Sequence, residues 1–241
     1  MPQFVNVKPL GVGLFYSSQG PIINFKARQH IPDRKSIRLM TRSVQLGVAA
    51  AGAALKASTG WQDIPPPRRA FFVGASPQVG DERDLDAAMA VSYDKDVFHL
   101  ERFAQDGIPQ IHPLWLIRGL SNNILGYGSA FWDFQGVNSN YCRREEGGFS
   151  ALLEGAQAVA EGRASIALSG AADSLVAAES ILERPCGEGA AFILWGPSDE
   201  PFLFDKDSWR EHKPNGGELG AATWAVTLAK KILSEHNLQP T

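Results

Sequence analysis

Three short apolar runs restrict what this chain can fold into more than any other feature. AFFVGAS at 70–76, ASIALSG at 164–170 and GAAFILW at 189–195 are too brief for buried helices and show no polar alternation. Strands covered on both faces look like this. A further strand is predicted over 3–15, around Phe4, Val5, Val7 and Val12. Between the runs, apolar residues recur at helical spacing. Ile37, Met40, Val44 and Val48 mark a helix over 36–57, capped by Asp33, and its end VAAAGAALKA is small enough to lie close against a sheet. Leu116, Leu120 and Ile124 share a helical face, and helices are also predicted over 147–161 and 218–234. Strands alternating with helices predict an α/β layered fold, formed as a single domain over residues 1–241.

Several function classes can be set aside at this stage. No apolar run approaches the roughly 20 residues of a membrane-spanning helix, and the start MPQFVNVKPLGVGLF has no basic and apolar leader pattern. No membrane span and a cytoplasmic location are therefore expected. A net charge of −3 with dispersed lysines and arginines leaves no footprint for nucleic acid. The basic run Arg34, Lys35, Arg38 and Arg42 reads as a solvated helix face, with a patch for an anionic partner as the alternative. Cys142 and Cys186 have neither CxxC spacing nor a nearby histidine pair, so neither metal nor cofactor is expected.

Three ordered segments are similar to the β-ketoacyl synthase branch of the thiolase fold. DRKSIRLMTRSVQLGVAAAGAAL from Asp33 resembles that family's early helix. The stretch from Ile111 to Ala172 carries its Ile-x-Pro start, Gly126, Gly136, a helix opening at Gly148, Gly162 and a strand ending in Ser-Gly-Ala. CGEGAAFILW from Cys186 resembles its Gly-Glu-Gly-Ala turn. The resemblance implies a thiolase-like layered fold, mainly the N-terminal half of a ketosynthase with a truncated C-terminal half. Such a half-fold is expected to expose apolar helix faces unless a partner covers them.

Condensation of thioesters needs a thiolate to carry the acyl chain, oxyanion donors and imidazoles. On the matched spacing the nucleophile position falls at Glu145, and a carboxylate cannot carry an acyl thioester. KPNGGELGAATWA resembles the family's lysine and second-histidine segment, with Lys213 at the lysine position and Glu218 replacing the histidine; an ordinary loop and helix start is the alternative reading. No His-Gly-Thr occurs, and His30, His99, His112, His212 and His236 match no catalytic motif. The pattern resembles chain-length factors, in the short form associated with aryl polyene polyketide pathways, although these commonly carry glutamine where Glu145 stands. A buried Glu145 would need a partner such as Arg143 or Arg144, or a raised pKa.

The resemblance implies a heterodimer with a full-length ketosynthase, formed through Asn138, Ser139, Asn140, Tyr141, Cys142 and Arg143, and contact with an acyl carrier protein through that complex. It also implies a substrate tunnel near Tyr93, Val97, Leu100, Trp115 and Tyr127, with Pro77 a looser candidate. Trp115 and Tyr127 could equally be packing residues. The competing readings are an acyltransferase or hydrolase using Cys142 or Glu145, and a scaffold that stabilises a ketosynthase without touching substrate.

Overall fold

The structure, a computed structural model, describes residues 2–76 and 82–235; Pro77 and His236 lie outside them. Its strands are β1 (Gln3–Ser17), β2 (Arg69–Gly74), β3 (Tyr93–Asp94), β4 (Val97–Phe98), β5 (Asn138–Tyr141), β6 (Ile166–Ser174) and β7 (Glu188–Phe204). The helices that matter here are α1 (Arg42–Lys56), α2 (Asp86–Ser92), α3 (Leu100–Arg102), α4 (Trp115–Arg118), α5 (Asn123–Trp132), α6 (Arg144–Ala160), α7 (Glu179–Leu182), α8 (Lys206–Trp209) and α9 (Thr223–Glu235).

A five-stranded sheet runs in the order β1-β7-β6-β2-β5. β2, β5 and β6 are parallel, while β7 is antiparallel to both β6 and β1. Side-chain alternation along the strands divides the core in two. Phe71, Val73, Phe192 and Leu194 pack with α1 and with Ile124 of α5. Phe72, Ile193 and Trp195 point the other way, into the cluster formed with α6 and α9. All six residues of β2 are buried, which is why that run carries no polar alternation. Each large side chain withdrawn from water in this way contributes about 1.5–3 kcal/mol.

Two helices differ from the sequence expectation. The helix expected over 36–57 is interrupted: a 3-10 turn over Ser36–Leu39 is followed by extended backbone at Met40, and α1 begins only at Arg42. Met40 is buried at the break, so it satisfies the apolar spacing without being helical. Asp33 accepts from the backbone N–H groups of Lys35 and Ser36, capping the short turn rather than α1. These hydrogen bonds, with the Ser36 hydroxyl foremost, hold its carboxyl below the usual range. The face predicted from Leu116, Leu120 and Ile124 is likewise split between α4 and α5, leaving Leu116 and Leu120 exposed and Ile124 buried.

The expectation of bare helix faces does not hold for α6 and α9. None of their large apolar side chains is exposed. β7 continues well past the predicted strand, and α8 packs on α9. Trp195, Phe202, Phe204, Trp209 and Phe149 form a chain of rings with centroids 5.2–5.8 Å apart, linking the sheet to α6 through the tail. The chain thus supplies part of its own cover.

Candidate functional site

The strand-to-helix turn after β5 opens α6, and its geometry is strained. Arg144 has φ +47°, a left-handed value that costs a residue with a Cβ about 1 kcal/mol or more. Close approach then requires glycine. A Cβ on Gly148 would meet the Ala221 carbonyl oxygen at 2.2 Å, so α6 presses directly against the segment that leads into α9. Glu145 lies in the first turn of α6, where the helix dipole favours a carboxylate. It is not buried: its side chain is 48% exposed and faces the Lys213 ammonium at 3.7 Å, so neither Arg143 nor Arg144 is its partner.

Beside it, Glu146 pairs with Lys206. The Lys206 ammonium sits 4.5 Å from the Phe149 ring centroid and 5.4 Å from that of Trp224, and Lys213 sits 5.2 Å from the same Trp224 ring. Two carboxylates and two ammonium groups therefore surround the mouth of α6, each exposed pair worth about 0–1 kcal/mol. Of the three positions singled out in the sequence, the structure joins Glu145 to Lys213. It turns Glu218 elsewhere, onto Arg184 at 2.9 Å, with its backbone bridged to Pro185 and Gly187. Cys142 follows β5 and accepts from the Asn140 side-chain amide at 3.2 Å. Cys186 is buried, and burial raises its thiol pKa.

Sequence reasoning missed a deeply buried acid beneath this mouth. Asp173, 2% exposed, accepts hydrogen bonds from the Ser76 hydroxyl, the Ala221 N–H at 3.0 Å and the Ser174 N–H. Gly220, at φ +50°, leaves the room: a Cβ there would lie 2.1 Å from the Asp173 carboxylate. Burial outweighs these hydrogen bonds and raises the Asp173 pKa. With the folded value above the unfolded one, the stability from burying the neutral acid is complete below about pH 4 and is lost as pH rises through the folded value. Asp173→Asn should therefore gain on the wild type as pH increases above 4, by up to about 1.4 kcal/mol per pH unit inside that window. Melting both proteins from pH 4 to 8 checks this. A constant difference between them would show that Asp173 does not titrate on unfolding.

β5 is the sheet edge, paired with β2 on one side and with no other strand among the described residues. The Asn140 amide donates to the Ser121 hydroxyl at 3.2 Å, tying the α4–α5 connection to this edge. Around it Leu116, Ile117, Leu120 and Val137 are exposed, with Leu116 at 68%. Tyr93, Val97 and Leu100 lie in the excursion from α2 to α3 and are also exposed, Leu100 at 71%. Trp115 lies in α4 and is partly buried. Tyr127 belongs to the cluster around α1, stacks on Phe131 at 6.0 Å and has its pKa raised by burial. A cavity of about 330 Å³ in the described residues is lined by none of these tunnel candidates.

No helix among the described residues is long and apolar enough to cross a membrane, and no group of three or more His, Cys, Asp or Glu side chains is placed to hold a metal.

No protein-family model and no curated protein matches the sequence. The fold, however, matches solved ketosynthase structures over 81% of the chain. One is a type II polyketide synthase acyl-carrier protein in complex with its ketosynthase bound to the hexaketide (AntDE:AntF), at TM-score 0.63 and 18% identity. Another is the ishigamide ketosynthase/chain length factor, at TM-score 0.63 and 15% identity. A third is the ketosynthase ApeO in complex with its chain length factor ApeC from Xenorhabdus doucetiae, at TM-score 0.57 and 12% identity. This chain spans 63%, 59% and 59% of those chains respectively. The architecture is the thiolase-type fold of ketosynthases.

Proposed function

We propose that the chain is a non-condensing, chain-length-factor-like subunit that pairs with a complete ketosynthase and shapes the acyl tunnel in type II polyketide synthesis, of the aryl polyene kind. The observation that carries this reading is Glu145. On the matched motif spacing it stands where condensation would need a thiolate, and it follows the strained Arg144 with its carboxylate facing Lys213. β5 is the proposed pairing edge, flanked by exposed apolar side chains that a partner would cover. Acyl carrier proteins are the further partner implied. Arg34, Lys35 and Arg38 are exposed and take part in none of the ion pairs found among the described residues, a surface suited to an acidic carrier.

Co-expression with a full-length type II ketosynthase, followed by size-exclusion chromatography and product analysis, tests the proposal. A co-eluting complex is expected. Within it Glu145→Gln should keep most of the product, because the reactive thiolate would reside on the partner. Loss of product as complete as that from removing the partner's nucleophile, with the complex intact, would place Glu145 in the chemistry and support the enzyme reading. Leu100→Ala should lengthen the product by one or more two-carbon units. An unchanged product from an assembled Leu100→Ala complex would favour the scaffold reading.

A further inference from the structure

Away from the mouth of α6, a cleft of about 330 Å³ opens between the C-terminal part of α1, the Gln29–Pro32 loop and the indoles of Trp61 and Trp132. Its volume lies in the range of small-molecule sites. The walls are fixed from behind by Arg69, which is buried and donates to the carbonyls of Gln62, Ile64, Trp132 and Asp133 at 2.7–3.3 Å. That guanidinium ties the main chain beside Trp61 to the main chain at Trp132, so the backbone that carries both indoles is fixed before any ligand arrives. Gly52 completes the floor: a Cβ there would stand 3.0 Å from the Trp132 ring.

The chemistry of the lining narrows the ligand. No carboxylate is among the lining residues, although the protein as a whole is acidic. Lys56 lies at the rim, exposed and in none of the ion pairs found among the described residues. A cationic ligand is disfavoured, since the Trp61 ring already has the Arg69 guanidinium 5.4 Å from its centroid and Lys56 would repel a second charge. Aromatic walls favour a flat ring. Gln29, His30 and Gln62 are the other polar residues of the lining; the His30 ring packs on Phe15 and Phe25, and burial with the nearby Lys56 charge lowers its pKa, which favours the uncharged imidazole.

We propose that this cleft binds a planar aromatic carboxylate, with the ring against Trp61 and Trp132 and the carboxylate towards Lys56. The assignment does not depend on the proposed chain-length role, because the cleft shares no residue with the mouth of α6 or the β5 edge.

Calorimetric titration of the full chain with 2-naphthoate tests it, with 2-naphthamide as the uncharged isostere. Saturable binding of naphthoate is expected, weakened about fivefold in naphthamide or by Lys56→Gln, on the scale of one exposed charge pair. Trp132→Leu should weaken both ligands, and Trp132→Phe should restore most of the loss because a ring is retained. Lys56 is exposed, so Lys56→Gln reads binding rather than folding. Absence of saturable binding at millimolar naphthoate, equal binding of the acid and the amide, or insensitivity to Lys56→Gln would each overturn the proposal.

Discussion

Arg42→Leu is expected to lower the stability of this protein by about 3 kcal/mol, a loss of roughly 6–12 °C in melting temperature for a chain of this size. The cause is the group it would leave behind. Glu188, at the start of β7, is 1% exposed, and its carboxylate is gripped by the Arg42 guanidinium, with Nε at 3.0 and 3.1 Å. The Ile22 N–H at 2.7 Å and the Ser174 hydroxyl at 2.9 Å complete its hydrogen bonds. Removing the arginine strands a buried negative charge between three chain segments. Arg42 keeps about a third of its surface in water and lies 4.7 Å from the Phe25 ring centroid, which puts the loss at the lower end of the range for broken buried pairs. The double variant Arg42→Leu/Glu188→Gln should recover part of it, since the uncharged amide can still accept from Ile22. Differential scanning calorimetry of the three proteins decides the matter. A shift below about 2 °C for Arg42→Leu would mean that the pair does not hold α1 to the sheet.

The second large effect concerns association rather than folding. Leu116→Asp/Leu120→Asp places two carboxylates on the apolar surface beside β5. Both positions are exposed, so the melting temperature of the chain itself should move by no more than about 2 °C. If a ketosynthase covers this surface, desolvating the new charges should cost at least about 3 kcal/mol of binding, or more than a hundredfold in affinity. Surface plasmon resonance with the co-purified ketosynthase measures that loss. Undiminished binding by a correctly folded double variant would move the interface away from β5 and its flanks.

Legibility in the sequence followed the physics of each element. The runs at 70–76, 164–170 and 189–195 were readable because strands covered on both faces leave no polar positions. The continuation of β7 to Phe204 was not, because its second part pairs only with β1 and carries exposed polar residues such as Asp199 and Glu200. The break at Met40 was invisible to periodicity, since a buried residue at helical spacing looks the same whether its backbone is helical or extended. At the site, matched spacing brought Glu145 and Lys213 forward, and the structure places them in contact. Asp173 could not be found that way. Its partners Ser76 and Ala221 come from distant parts of the chain, and only the closed fold brings them to one buried carboxylate.

The pairing of β1 with β7 bears on how the chain comes to be folded at all. Among the described residues β1 has no other strand neighbour, and its register runs from Gln3 opposite Phe204 to Ser17 opposite Glu188. Contacts so far apart in sequence pay their loop-closure entropy late and slow the folding rate. During synthesis at about 5–20 residues per second, β1 leaves the ribosome some ten to forty seconds before its only mate. Throughout that interval its backbone amides lack the strand that pairs with them, and the side of Val5, Val7, Val12 and Leu14 that faces α9 has no native cover. Chaperone dependence and losses to aggregation should therefore concentrate on this first strand, and polar replacements at its exposed positions should raise the yield of folded protein without altering the finished fold.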